Sequence, residues 1–375
     1  MRLVHVVTLV SDDGAFGGPT SVALAQLEEC AARGHDVTLV SLWRGGTRAA
    51  QHIGAVRFVS RPAWRLVPGR GCLGLMHPLL LRDLWRAMGH ADAVHLHAGR
   101  DLVSLAALAV ARLRGKAFVT QTHGMVEPRT GAVARVFDRL YVPLLRRARC
   151  CFVLTDRERR ALTTVLGPDR PPLVSLPNGL RPAGDGADAR RRNDKEVIFL
   201  ARLHPRKRPE AFVEMAALVH KEIPEARFTL YGADEGSLPA VNRLVADRGL
   251  TDVVSYGGAL EHSAALEAYR RATVYVLPSV HEPFPMTVLE ALAEGTPVVC
   301  TDSSGIAAEL ARREAALVTD GSPEALADAV SLLLADEALR GQLVDAGRRA
   351  IDEVFSIRAV VDQLEGVYRS RPARR

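Results

Sequence analysis

Cysteine is scarce in this chain. Its 375 residues hold five, Cys30, Cys72, Cys150, Cys151 and Cys300. No two of them have C-x-x-C spacing, which excludes a disulfide framework and a cysteine metal or redox site. Reduced, mostly buried thiols in a cytosolic protein are the expectation. Long apolar runs are missing too, so no segment reads as a membrane span. The apolar stretch Met1–Val10 is short and runs into Asp12-Asp13 without a small-residue cleavage site. It reads as a first strand and not as a signal peptide. The expected location is the cytosol, including the inner face of a membrane. No Asp-x-Asp occurs anywhere, so the acidic pair that often holds a divalent metal is absent.

What is present is ordinary for a folded protein. Hydrophobic residues make up 48% and charged residues 25%, which excludes wholesale disorder and collagen-like repeats. The length exceeds what one hydrophobic core usually organises, so two domains are expected. Net charge is 49 − 43 = +6, unevenly spread. Residues 1–190 carry 26 basic and 15 acidic side chains, or +11; residues 191–375 carry 23 and 28, or −5. Two halves of opposite sign are expected to meet different partners.

Short β-branched runs alternate with longer helical stretches, the pattern of parallel sheets with crossover helices. Strands are expected at Leu3–Val10, Asp36–Leu42, Ala93–Leu96, Ala117–Thr122 and Cys151–Thr155. The second half repeats the theme at Glu196–Leu200, Arg227–Tyr231, Val253–Tyr256, Thr273–Leu277 and Pro297–Thr301. Helices are expected at Thr20–Arg33, Arg208–Lys221, Ala264–Arg271 and Val288–Glu294. The run from Arg181 to Arg190 has no apolar periodicity, and its Gly, Pro and Asp content marks a linker. The chain therefore reads as α/β, with two doubly wound domains facing a central cleft and ligands at the carboxyl ends of their strands.

Three stretches carry candidate chemistry. Gly14-Ala15-Phe16-Gly17-Gly18-Pro19 lies between a strand and a helix N-terminus, where backbone N–H groups meet anions. It is not G-x-G-x-x-G, and taken alone it is equally a tight turn. Arg202-Leu203-His204-Pro205-Arg206-Lys207-Arg208 puts four cations directly after a strand. A solvated charge run is the bland reading, but the end of a strand at a helix start favours a diphosphate site. The third stretch runs from Leu277 to Val299. Glu282 falls on the loop after a strand and Glu290 about one turn into the next helix, so both are expected to face one cleft. Free N–H groups near Met286 suit a phosphate, and Glu290 suits a ribose diol. Two Glu at this spacing are weak when taken alone.

Together these strings resemble retaining, nucleotide-sugar-dependent glycosyltransferases of family 4, which have the GT-B fold. Glu282 to Glu290 matches the family's Glu-x7-Glu element, with its Pro-Ser, Glu-x-Phe and Glu-Ala surroundings. Ala201-Arg202-Leu203-His204-Pro205-Arg206-Lys207 is similar to its phosphate motif. Gly17-Gly18-Pro19 with Arg33-Gly34-His35-Asp36-Val37, Thr122-His123-Gly124 and Pro177-Asn178-Gly179 fit in order. Ala201, Arg208 and Pro285 stand where the family usually has glycine, and no acidic residue follows Asn178-Gly179.

The resemblance implies a hexosyltransferase that moves a sugar from a nucleoside diphosphate sugar to a hydroxyl, without a cofactor or a divalent metal. The acceptor would be a saccharide, a glycolipid or other lipid-linked molecule, or a small natural product. Arg202 and Lys207 would bind the diphosphate with the backbone of Met286 and Thr287, beside Phe284 and Pro285. Glu290 would hold the ribose, and Gly258 and Leu260 would face the base. Glu282 and His123 would meet the sugar, and Gly17 and Gly18 would let backbone approach the phosphates. His95 and His97 would be mainly structural. The implied domains are 1–181 and 196–355, with a linker at 182–195. Residues 356–375 would form a helix crossing back to the first domain and a basic tail. A nucleotide-sugar 2-epimerase and a non-catalytic sugar-nucleotide sensor are the rival readings; free epimerised product without acceptor would favour the first. An Arg-rich window with Trp64, Leu66, Val67, Leu73, Leu75 and Met76 suggests an anionic membrane contact, and no nucleic-acid partner is expected.

Overall fold

The computed structural model describes residues 1–11, 17–46, 49–67, 74–180 and 195–370. The glycine loop before Gly17, Cys72, Leu73, most of the expected linker and the last five residues lie outside these. The chain divides into two compact units: residues 1–179 with 357–375, and residues 180–356.

Among its described residues unit 1 has ten strands: β1 (Arg2–Ser11), β2 (Asp36–Arg44), β3 (His52–Ile53), β4 (Val56–Pro62), β5 (Trp64–Arg65), β6 (Leu75–Met76), β7 (Ala93–His97), β8 (Phe118–Gln121), β9 (Cys151–Val153) and β10 (Leu173–Ser175). Eight of them form one sheet in the order β10-β9-β8-β7-β1-β2-β4-β3, parallel except for the β3–β4 hairpin. Strand order reverses between β1 and β7, the doubly wound arrangement. Central strands bury both faces, so β1 reads Leu-Val-His-Val-Val with no polar alternation. One face packs on the helices Pro78–Gly89 and Leu102–Leu113. The other packs on Gly17–Ala32 and on the C-terminal helix Ile357–Arg369, which buries Ile357, Val360, Val361, Leu364 and Tyr368.

Among its described residues unit 2 has six parallel strands: β11 (Glu196–Leu200), β12 (Arg227–Tyr231), β13 (Val254–Tyr256), β14 (Val274–Leu277), β15 (Val298–Thr301) and β16 (Leu317–Thr319). Their order, β13-β12-β11-β14-β15-β16, reverses between β11 and β14. Ligands of such sheets sit outside the carboxyl ends at that reversal. Gly232 makes the strand ends possible: its φ is +139°, and a Cβ there would stand 1.9 Å from the Ala201 carbonyl oxygen.

Most differences from the expected elements have local causes. The first helix starts at Gly17, three residues early, because Pro19 lacks only an N–H that the first turn leaves unpaired anyway. The strand expected to reach Thr155 ends at Val153, because Thr155 caps the next helix by accepting the Glu158 N–H. The motif-free stretch Arg44–Met88 supplies β3 to β6. Leu75 and Met76 are each only 8% exposed, which removes both from the expected membrane-facing set. Of the described cysteines, Cys30, Cys150, Cys151 and Cys300 are all buried and free. Burial pushes the Cys30, Cys151 and Cys300 thiols up to about 12.

Candidate functional site

In unit 2 the candidate residues gather at the strand-order reversal. β11 runs into a 3-10 turn, Pro205–Lys207, and then the helix Pro209–Glu222. β14 runs into the loop 278–285 and then the helix Met286–Ala293. Lys207 leaves the first loop and Glu282 the second, and Lys207 Nζ lies 2.5 Å from Glu282 Oε2. Both side chains are nearly out of solvent, at 12% and 11% exposure. Two charges so placed hold each other until a ligand competes for one of them.

The loop that carries Glu282 is braced from several sides. Thr301 Oγ1 donates to the Ser279 carbonyl at 2.6 Å, and the Gly305 N–H donates to the Glu282 carbonyl at 2.8 Å. His281 takes a left-handed φ of 52°, which turns the chain toward Glu282. Phe284 packs edge-on against Phe355 with ring centres 6.1 Å apart. Pro285 is the N-cap of Met286–Ala293 and makes no side-chain cap bond; the Val288 N–H donates to the Pro285 carbonyl at 3.1 Å, which leaves the N–H groups of Met286 and Thr287 to a ligand.

Glu290 lies one turn into that helix, as expected from the sequence. It is half-buried, and burial raises its carboxyl pKa while the nearby His262 opposes the shift. Tyr275 on β14 lies near enough for the carboxylates of Glu282 and Glu290 to act on its hydroxyl. Its hydroxyl is 2.8 Å from Thr287 Oγ1 and 3.2 Å from the Leu200 carbonyl oxygen, tying the ends of β11 and β14 together.

The four cations after β11 are not equivalent. Arg202 is well exposed and pairs with Glu235 at 2.6 Å. Arg206 is exposed. Arg208 stands apart from the other three: at φ 54° it caps the helix, and its guanidinium donates to the Gly321 carbonyl at 2.8 Å. It braces backbone, which leaves Arg202, Arg206 and Lys207 for an anion. Gly258 and Leu260 follow β13; the Gly258 carbonyl accepts the Gly232 N–H at 2.8 Å.

Unit 1 holds the remaining candidates. Gly17 and Gly18 open the first helix at the carboxyl end of β1. His123 follows β8 in a left-handed turn, with φ 50° at His123 and 74° at Gly124. Glu158, which the sequence reading passed over, builds that turn. Its carboxylate accepts from Thr122 Oγ1 at 2.5 Å and from the N–H groups of Gly124 and Leu154 at 2.6 Å each. The signal was legible as the capping box Thr155-Asp156-Arg157-Glu158. His123 Nε2 lies 2.9 Å from His97 Nδ1, and burial lowers the His123 pKa to about 4.

Residues 17–179 match a family described as glycosyl transferase 4-like domain, and residues 186–350 one described as glycosyl transferases group 1. A D-inositol 3-phosphate glycosyltransferase of Frankia alni is 31% identical over 282 residues, covering 68% of each chain. The protein of the same name from Acidothermus cellulolyticus is 34% identical over 239 residues, 59% of this chain. The match spans about half of that relative, 53% of its length. Among solved structures, Anabaena Alr3699/HepE in complex with UDP superposes with a TM-score of 0.72 at 15% identity, covering 98% of this chain and 99% of that one.

Proposed function

The chain belongs to the group 1 glycosyltransferases, with two Rossmann-like domains of the GT-B type, and from that footing we propose that it is a retaining hexosyltransferase using a nucleoside diphosphate sugar. The observation that carries the reading is the Lys207–Glu282 pair at the strand-order reversal of unit 2, beside the uncapped helix at Met286. A cation, a carboxylate and free N–H groups at one point suit a sugar joined to a diphosphate.

The proposed chemistry follows from charge. The bond from the anomeric carbon to the diphosphate breaks, and negative charge grows on the leaving oxygen. Lys207, Arg202 and the N–H groups of Met286 and Thr287 stabilise that charge without a divalent metal. The acceptor hydroxyl attacks from the face the diphosphate leaves, so configuration is kept, and its proton passes to the leaving phosphate oxygen. Glu282 and His123 contact the sugar hydroxyls, and Glu290 accepts from the ribose diol. Phe284 and Pro285 shape the loop around the phosphates, Gly258 and Leu260 border the base, and Gly17 and Gly18 admit the diphosphate near backbone.

For the acceptor, an anionic or lipid-linked hydroxyl compound fits best. The relatives described above are named for D-inositol 3-phosphate, and unit 1 is the basic half of this chain. The deciding experiment is a thermal-shift panel of UDP-, GDP-, ADP- and TDP-sugars. At a hundred times its Kd a true donor adds about 2.7 kcal/mol to stability, so one nucleotide should stand out. A panel in which none raises Tm removes the donor reading.

A further inference from the structure

Unit 1 holds a connected chain of four imidazoles and one phenol, buried except at His123, which is half-buried. His5 on β1 and His95 on β7 are register partners, and His97 lies two residues further along β7. These three are 0–2% exposed and face the C-terminal helix, which contributes Tyr368. The links run from His123 Nε2 to His97 Nδ1 at 2.9 Å and from His97 Nε2 to His5 Nδ1 at 3.1 Å. From there His5 Nε2 lies 3.2 Å from the Tyr368 hydroxyl, which lies 2.8 Å from His95 Nδ1.

Burial keeps all four imidazoles neutral, with His5 lowered to about 3 and His123 to about 4. A neutral imidazole has one N–H and one bare nitrogen. Each imidazole therefore dictates the next; Tyr368 either passes the direction on or, by accepting from both histidines, strands its own buried O–H, which has no further acceptor among the described residues, so two directions remain.

The far end decides between them. His95 Nε2 is buried with no hydrogen-bond partner. In one direction it must carry a stranded N–H; in the other it is a bare acceptor. Orphaned buried N–H groups are the rarer of the two. So His95 Nδ1–H donates to the Tyr368 oxygen, Tyr368 donates to His5 Nε2, His5 Nδ1–H donates to His97 Nε2, and His97 Nδ1–H donates to His123 Nε2.

We infer that this relay fixes His123 as its Nδ1–H tautomer, and that His97, His5 and Tyr368 are positioning residues for it. His123 Nδ1 faces away from the relay and has no hydrogen-bond partner among the described residues. It is thereby held as a donor toward an oxygen of the donor sugar; this last step rests on the proposed transfer reaction.

The same histidines suit a metal less well. Donor atoms of His5, His95 and His97 lie within 4.8 Å of one another. Yet the His95 and His97 rings are stacked, 14° from parallel with centres 4.5 Å apart. In-plane lone pairs of parallel rings do not converge on one ion.

The test is a long-range proton–nitrogen NMR correlation of the full chain with labelled histidine, above neutral pH. The parent protein should show His123 with its proton on Nδ1. Tyr368→Phe removes only the hydroxyl, so His123 should then populate both tautomers. Turnover should fall by about tenfold or more, since a misplaced imidazole proton disables the group, with KM for donor within about twofold of the parent. A parent spectrum with the proton on Nε2 overturns the relay, even if the variant does not fold. So does an unchanged tautomer in Tyr368→Phe, or stoichiometric Zn²⁺ uptake that is lost in His97→Asn. The spectrum needs no substrate, so it tests the relay even if the transferase reading fails.

Discussion

Lys207 and Glu282 neutralise each other at 2.5 Å, with both side chains nearly out of solvent. In the proposed reaction a diphosphate arriving there takes over the cation, and its charge grows as the glycosidic bond breaks. Lys207 should therefore stabilise the transition state more than the bound donor. Lys207→Ala is expected to lower turnover by more than it weakens donor binding. Arg202→Lys should rescue Arg202→Ala only in part, because a point charge replaces a fork. Added magnesium should restore neither. Steady-state kinetics at saturating donor decide it: turnover of Lys207→Ala within about twofold of the parent, far short of a lost transition-state contact, would reduce the cluster to a solvated surface. Glu290 tests the nucleoside end. The carboxylate contact to a ribose that the proposed function gives it would be worth roughly 1.5–3 kcal/mol, so Glu290→Ala should lose about tenfold to a hundredfold in donor affinity by calorimetry. Equal affinity would end the ribose assignment. At this scale the motifs named Lys207 and Glu282 separately, and their contact at 2.5 Å is what the fold adds. The sequence was silent on Arg208: a charge run does not say which side chain turns inward to donate to a carbonyl.

Among the elements, the C-terminal helix Ile357–Arg369 has the largest consequence for its distance along the chain. It closes one face of the unit 1 sheet with Ile357, Val360, Val361, Leu364 and Tyr368. Each large apolar side chain buried is worth about 1.5–3 kcal/mol, so together they rival the roughly 5–15 kcal/mol that holds a domain. A chain ending before Ile357 should lose cooperative unfolding of unit 1 by circular dichroism, and sharp cooperative melting of both units would contradict this. The strands bring a second expectation. His5 and His123 have pKa values lowered to about 3 and about 4 from 6.5. Below pH 6.5 the unfolded chain binds protons that the native protein refuses. Stability should thus fall as pH drops through that window, by about 1.4 kcal/mol per unit for each histidine. Tm measured from pH 7 down to pH 4 should decline, and His5→Phe should decline less steeply. Equal slopes would mean that His5 does not titrate as its burial requires. The strands and most helices were legible because parallel strands buried on both faces are continuous apolar runs. The histidine chain was not: His5, His95 and His97 are joined across β1, β7 and a helix more than 250 residues away, and no local pattern records that.

On the scale of the whole molecule, charge and exposed apolar surface coincide in unit 1. Residues 44–149 hold 18 basic and 5 acidic side chains, a net of +13. The same window exposes Trp64, Leu66 and Val67 at 52%, 52% and 42%, and Leu79, Leu81 and Trp85 at 47%, 44% and 43%. The helix Ala132–Leu145 adds Val133, Val136 and Leu140, spaced to lie on one stripe. Leu75 and Met76 have turned inward from the set the sequence suggested, and these residues take their place. No helix among the described residues is long and apolar enough to cross a membrane. Cations around scattered aromatic and aliphatic side chains suit the boundary of an anionic bilayer, where each Lys or Arg near the surface contributes about 1 kcal/mol. The competing account is an Arg-rich face that serves only solubility, and it makes a different prediction about the apolar residues. If unit 1 rests on lipid, the protein should co-sediment with anionic vesicles at low salt, release at high salt, and ignore neutral vesicles. Trp64→Ser with Trp85→Ser should weaken the attachment although no charge has changed. An Arg-rich surface without insertion would keep its full vesicle binding in that double variant. No sedimentation with anionic vesicles at low salt would remove the membrane contact altogether and leave the basic face to a soluble anionic acceptor.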